Sequence, residues 1–160
     1  YSNGYDVVVN TNRLLKPRIQ QTMFMTMVMM RWNHEEEKMY MTGSGHEHLL
    51  VYRKAANDCE VRQTGGIALG MLPDNSKIIK EEQIDIEKGD TIVLYSDGIV
   101  EARNTSGEQY GLERLRESVS NHGGIGNAAD LFTAISTDFA AFVESQTQAD
   151  DITLIVVRKT

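Results

Sequence analysis

Cysteine is almost missing from this chain of 160 residues: Cys59 stands alone, so no internal disulfide can form. That excludes a disulfide-stapled scaffold and points to a reducing, cytoplasmic setting; Cys59 itself reads as a small residue in or near a strand. No apolar run approaches membrane-spanning length and no signal peptide is visible, so no membrane segment is expected. No run of Lys or Arg occurs and the net charge is −7, which argues against a nucleic-acid partner. Internal repeats, linkers and low-complexity segments are absent too, which predicts one domain over residues 1–160. The sequence opens on Tyr1 rather than Met, and is read as a fragment or a processed product.

What is present is ordinary in bulk: 41% apolar and 24% charged residues, over a length that supports a real core. Two stretches stand out. In the first, Gly89 to Ala102, the apolar run Ile92 to Tyr95 stops abruptly at Ser96-Asp97-Gly98. β-branched and aromatic residues bounded by turn formers predict a buried strand. Asp97 then stands where the strand ends, at a sheet rim. Gly98 permits a positive φ or a close backbone approach. A carboxylate on a rigid strand is a good ligand for a hard cation, although Asp-Gly is equally a common turn pair.

The second stretch runs from Gln148 to Arg158, with Asp150 and Asp151 opening an apolar, β-branched strand. If the two strands are antiparallel neighbours, Asp97 and Asp150 meet at one rim. Two or three oxygens converging there suit Mg²⁺ or Mn²⁺. The alternative is that Asp150 and Asp151 merely cap a turn.

Between these landmarks the chain alternates readable elements. Ser2-Asn3-Gly4 are loop formers, and Asp6 to Gln20 predicts a helix with Val8, Leu14, Leu15 and Ile19 on one face and Pro17 weakening its end. Met23 to Trp32 predicts a strand covered on both faces. Its methionines are core fillers rather than copper ligands, since no Cys or His joins them. Lys38 to Thr42 makes a hairpin with it through the polar turn Asn33–Glu37. Gly43-Ser44-Gly45 reads as a tight turn before the strand His48 to Arg53. His46, Glu47 and His48 do not have zinc-site spacing, and His46 reads as bracing a turn. Glu60 to Gln63 and Lys77 to Ile86 predict further strands. The glycines at 65, 66 and 70 mark a connection; no Lys-Ser/Thr follows, so a P-loop is excluded. Leu112 to Val119 predicts a helix. Asn127 caps a longer one to about Ser145, with Leu131, Ile135, Phe139, Phe142 and Val143 facing inward. Hairpin strands, a helical pair and a last strand give an α+β class with a mainly antiparallel sheet.

Taken together, Ser96–Asn104, Gly107–Leu115 and Ala149–Val157 resemble the metal-dependent serine/threonine phosphatases of the protein phosphatase 2C-like (PPM) superfamily. The pattern is most similar to the stage II sporulation protein E (SpoIIE) and sigma-factor-regulation group. Phe24–Met27, Gly43–His46 and Gly66–Gly70 fall in the order that group uses, and the likeness runs from about Leu14 to Arg158. The resemblance implies a β-sandwich flanked by helices, with a dinuclear Mn²⁺ or Mg²⁺ centre at one rim. There a metal-activated water attacks a phosphoserine or phosphothreonine without a phosphoenzyme. It implies Asp97 and Asp150 as ligands of one metal, with Gly98 and Asp151 as possible site support, since Asp151 stands where the family also accepts Asn. It implies a phosphoprotein substrate, on family analogy an anti-sigma-factor antagonist.

One departure is large. The family's bridging aspartate lies in an Asp-x-x-Gly-His-Gly segment, and nothing like it precedes Asp97. The resemblance therefore covers roughly the last two thirds of the family domain, an N-terminally truncated version lacking its first strands and first metal-binding motif. On that reading the isolated chain has at most a partial metal site, little activity, and a Met23–Trp32 strand free to pair in a dimer. The alternative function is a degenerate, non-catalytic phosphatase-like module that binds a partner protein.

Overall fold

The computed structural model describes residues 3–46 and 48–160. Ser2 of the leading loop and Glu47 of the His-Glu-His run lie outside them. The described residues form two compact units.

The first unit holds the described residues up to His48 together with 63–86. Its helix α1 spans Gly4–Leu15 and is followed by a 3-10 turn, Lys16–Arg18, that contains Pro17. The helix starts two residues earlier than the sequence predicts, because Asn3 caps it by accepting from the Asp6 N–H at 2.8 Å. Gly4 belongs inside it: a Cβ there would lie 2.4 Å from Thr42 Oγ1. The buried stripe is Val8, Val9 and Asn12, whereas Leu14 is 58% exposed, contrary to its predicted place on the inner face. Asn12 is kept by its bonds: it donates to the Leu72 carbonyl at 3.1 Å and accepts from the Gly70 N–H at 2.8 Å.

Strands β1 (Met27–Asn33), β2 (Lys38–Ser44) and β5 (Glu81–Ile84) form an antiparallel sheet in the order β1-β2-β5. Here β1 is an edge strand, half-buried along its length, and Met23, Phe24 and Met25 lie before it and are exposed. The predicted strand covered on both faces is thus shorter and only half-buried, and among the described residues β2 is the strand that pairs with it. The expected tight turn at Gly43-Ser44-Gly45 is also corrected. Gly43 and Ser44 pair with Val28 and Met27 inside the sheet, and the chain turns only at Gly45, with φ +75°. β5 has 4 residues, less than half the span expected from Lys77 to Ile86.

The second unit holds residues 49–62 and 87–160. Its sheet runs β4-β3-β6-β7, from β4 (Asp58–Gln63), β3 (His48–Arg53), β6 (Thr91–Tyr95) and β7 (Leu154–Arg158). Three helices accompany it: α2 (Asp97–Val100), α3 (Gly111–His122) and α4 (Ala128–Val143). Leu50, Val93, Tyr95, Leu115, Val119, Leu131 and Ile135 make a continuous core, with Leu154 and Val156 of β7 packed against it. The predicted cap is present as a full capping box between Asn127 and Asp130. Phe139 and Phe142 meet Tyr110 edge-on at 5.3 and 5.2 Å. Cys59 is buried in β4, and that burial pushes its thiol up to about 12. The fold is α+β with antiparallel sheets, as the sequence predicts. No helix among the described residues is long and apolar enough to cross a membrane.

Asp90, just before β6, anchors the start of that strand. It is buried and accepts from Arg53 Nη1 at 3.0 Å, the Lys54 N–H at 2.9 Å and the Glu87 N–H at 3.2 Å. Burial alone would raise its pKa. The hydrogen bonds from Lys54, Glu87 and Arg53 outweigh burial and hold it below the ordinary 3.8.

Candidate functional site

The site is built where β6 and β7 end together. These strands are antiparallel, with Thr91 opposite Arg158 and Tyr95 opposite Leu154. Alternation turns Leu154 and Val156, both half-buried, toward the core while Ile155 and Val157 face outward, 47% and 40% exposed. The register brings the residues after Tyr95 alongside those before Leu154, which is the antiparallel arrangement the two acidic stretches require to share a rim.

Ser96 joins them. Its N–H donates to the Thr153 carbonyl at 3.0 Å. Its hydroxyl donates to the Asp151 carbonyl at 3.0 Å and accepts from the Thr153 N–H at 2.9 Å. The side chain that would ordinarily cap α2 is committed across the rim instead, and α2 has no side-chain cap. Sequence reasoning misses Ser96. The available signal is a hydroxyl residue directly before an acid at a strand-to-helix junction.

Asp97 is the first residue of α2 rather than the last of the strand; it is exposed, and its Oδ1 accepts from the Gly98 N–H at 3.0 Å. Gly98 is buried and helical, without the positive φ that the turn reading allowed. Its necessity is close approach: a Cβ there would lie 2.4 Å from the Asp151 carbonyl oxygen and 3.1 Å from its carbon. The contact is to the Asp151 backbone.

Asp150 and Asp151 precede β7 rather than opening it, since the strand begins at Leu154. Both are exposed. Asp150 Oδ1 accepts from the Asp151 N–H at 2.7 Å, and the Asp150 carbonyl accepts from Gln148 Nε2 at 2.8 Å. The segment is therefore an exposed, internally bonded bend that Ser96, at the start of α2, ties down through the Asp151 carbonyl.

As a donor set, Asp97 and Asp150 offer exposed carboxylate oxygens of the hard kind that Mg²⁺ and Mn²⁺ prefer. Gly98 lets the two backbones close at that point. The chemistry fits a divalent cation, though only as part of a coordination sphere: no group of three His, Cys, Asp or Glu able to hold a metal occurs among the described residues. His46 lies in the first unit, where its carbonyl accepts from the Thr64 hydroxyl.

Comparison with known proteins places the chain. The sequence model of the family Stage II sporulation protein E (SpoIIE) matches residues 3–160. The chain is 30% identical to the phosphoserine phosphatase RsbU of Bacillus subtilis over 155 residues, which cover 96% of this chain and 44% of RsbU. It is 26% identical to protein IcfG of Synechocystis over 114 residues, 71% of this chain and 17% of IcfG. It thus spans less than half the length of these curated relatives. Among solved structures, the SpoIIE phosphatase domain of Bacillus subtilis with a fragment of its regulatory domain superposes with a TM-score of 0.77 at 15% identity, over 98% of this chain and 44% of that one. The PP2C domain of SiaA from Pseudomonas aeruginosa gives 0.75 at 15% identity, over 98% and 65%. At such identities the structural likeness speaks for the fold, while the family match covers nearly the whole sequence. The chain belongs to the SpoIIE family and has the fold of a PP2C-type phosphatase domain.

Proposed function

We propose that this chain carries part of the active site of a metal-dependent protein phosphatase that hydrolyses phosphoserine or phosphothreonine on a regulatory protein. The observation that supports it is the rim itself: Ser96 bonds across to Asp151 and Thr153, so Asp97 and Asp150 stand on adjoining segments with exposed carboxylates. The relative RsbU is a phosphoserine phosphatase by name, and a solved relative, RsbX, is a complex with magnesium.

On this reading Asp97 and Asp150 hold a divalent Mn²⁺ or Mg²⁺, with Gly98 and Asp151 keeping the two segments in register. When bound, such a cation offsets phosphoryl charge and lowers the pKa of a coordinated water. Asp97 is oriented by the adjacent Gly98 N–H, and Asp150 by the Asp151 N–H. A chain of net charge −7 repels a phosphoprotein, so its own carboxylates need that compensation before substrate can approach. The bridging carboxylate that the family resemblance calls for has no counterpart before Asp97, and we place it outside these 160 residues. The substrate proposed is a phosphorylated anti-sigma-factor antagonist, met in the cytoplasm. A second copy is the proposed partner for the edge strand β1, testable by light scattering.

Phosphate release from a phosphoserine protein by a form of the protein that also carries the bridging carboxylate, measured with Mn²⁺ and with chelator, tests the reading. Metal-dependent release that Asp97→Asn abolishes supports it; chelator-insensitive release, or full activity in Asp97→Asn, refutes it. The absent Asp-x-x-Gly-His-Gly segment favours a second reading, a non-catalytic module that binds a partner protein. Binding of a phosphoprotein without turnover in any metal, with the missing segment supplied, would select it.

A further inference from the structure

Beside the rim lies a cleft of about 610 Å³, bounded by α2 and the loop after it on one side and by the end of α4 with its connector to β7 on the other. Gly98 and Asp150 are among its walls, so it is continuous with the candidate site. Its volume is that of a site for a drug-sized ligand, well beyond what one phosphoryl group needs.

The lining is two-sided. Phe139 and Val143 supply an apolar surface, while Arg103, Gln146 and Gln148 supply polar groups. Gln146 Nε2 donates to the Asn104 carbonyl at 3.3 Å and Gln148 Nε2 to the Asp150 carbonyl at 2.8 Å. Those bonds use the amide nitrogens and leave carboxamide oxygens to accept, as an extended peptide backbone requires. Arg103 is exposed and anchored through Nη1 to the Gly107 carbonyl at 2.5 Å, which aims the guanidinium without exhausting its donors. Glu101, four residues after Asp97, and Asp150 carry the opposing charge in the same lining.

The wall is preformed. Asn104 Oδ1 accepts from the Ser106 and Glu108 N–H groups at 3.1 and 3.0 Å, and the Tyr110 N–H donates to the Ala102 carbonyl at 2.8 Å. A loop tied down in this way loses little further entropy when a ligand arrives.

We infer that this cleft seats the residues flanking the phosphorylated side chain: an extended segment with an apolar side chain against Phe139 and Val143 and an acidic one at Arg103. The inference rests on the phosphatase reading and extends it from chemistry to substrate choice. Arg103 is then a specificity-determining residue, and the flanking sequence is selected by this chain itself.

Two probes test it with the Mn²⁺-loaded protein in a form that also carries the bridging carboxylate: p-nitrophenyl phosphate, which has no flanking residues, and a phosphoserine peptide library with randomised flanks. The wild type is expected to favour an acidic residue at one flanking position, and Arg103→Glu to switch that preference to a basic one. Val143→Trp, which fills the cleft, should lower kcat/KM for the peptides by at least about tenfold relative to p-nitrophenyl phosphate, the scale of discrimination that a side-chain pocket supplies. A wild type indifferent to its flanks, or an unchanged flank profile in both variants, overturns the inference. Hydrolysis of neither probe by the wild type at any metal concentration would instead sink the phosphatase reading, and the cleft assignment with it.

Discussion

Strand β6 has an aspartate near each end, and the two could hardly be treated more differently. Asp90 is 3% exposed, and its carboxylate is engaged by a guanidinium and two backbone N–H groups. Asp97 is exposed, and its carboxylate accepts from the adjacent Gly98 N–H. The fold uses the first carboxylate for its own cohesion and leaves the second with capacity to accept. Sequence context alone, a charged residue beside an apolar run, is the same at both ends. What separates them is how many donors the surrounding turns aim at the carboxylate.

That contrast can be broken most forcefully at Asp97. Asp97→Asn should cut metal-dependent turnover by more than about 100-fold, since even outer partners of a metal are worth about 10–100-fold. Thermal unfolding of the same variant should shift by no more than an exposed substitution does, about 0.5 kcal/mol. Steady-state kinetics and calorimetry on one preparation check both halves. Asp90→Asn should do the reverse. It leaves Arg53 short of its buried partner, at a cost of about 3 kcal/mol, read as a lowered denaturant midpoint.

Gly98→Ala comes next. The new Cβ would meet the Asp151 carbonyl at 2.4 Å, and forcing the two backbones apart should cost about 1–3 kcal/mol and weaken Mn²⁺ binding along with stability. A variant as stable and as metal-competent as the wild type would show that the rim has slack. Ser96→Ala is expected to be milder, about 1 kcal/mol for the lost cross-rim bonds, with metal affinity reduced because Asp151 is no longer tethered.

The smallest effect is the pH dependence. The folded pKa of Asp90 lies below its ordinary value of 3.8. Its contribution is therefore fully present above the unfolded pKa and is lost as pH falls through the lower, folded one. Stability should decline at the acid end of the carboxylate range, and Asp90→Asn should flatten that decline. Denaturant midpoints across that range decide it; an equally steep decline in both proteins would remove Asp90 from its anchoring role.

The same contrast explains what the sequence could and could not reveal. The strand around Ile92 to Tyr95 and the Asn127 cap were legible, because they depend on local pattern and on a period of two; the antiparallel neighbouring of β6 and β7 entered only as a condition, since pairing between distant segments is not a local property. The half-burial of β1 was not legible: Met27 to Trp32 is apolar in composition, and composition alone suggested cover on both faces. Nor was the reason for Gly98, since a glycine at a turn suggests freedom of φ, whereas here the Asp151 carbonyl simply leaves no room. Leu14 was misplaced because the buried stripe of α1 is set by Asn12, a polar residue that hydrophobic periodicity cannot count. Ser96 and the cleft beside it arise from long-range contacts, between residues 55 apart for Ser96 and Asp151, and no local pattern encodes them.

The central claim is that Asp97 and Asp150 serve one divalent cation, and a double-mutant cycle of Mn²⁺ binding measures it most directly. Mn²⁺ should be titrated calorimetrically into the wild type, Asp97→Asn, Asp150→Asn and the double variant, with Asp90→Asn as the folded-anchor control. The expected result is at least about tenfold weaker binding in each single variant, with the double variant little worse than either, as residues sharing one ligand are non-additive. Equal Mn²⁺ affinity in the wild type and both single variants, or strictly additive losses, would contradict a shared site.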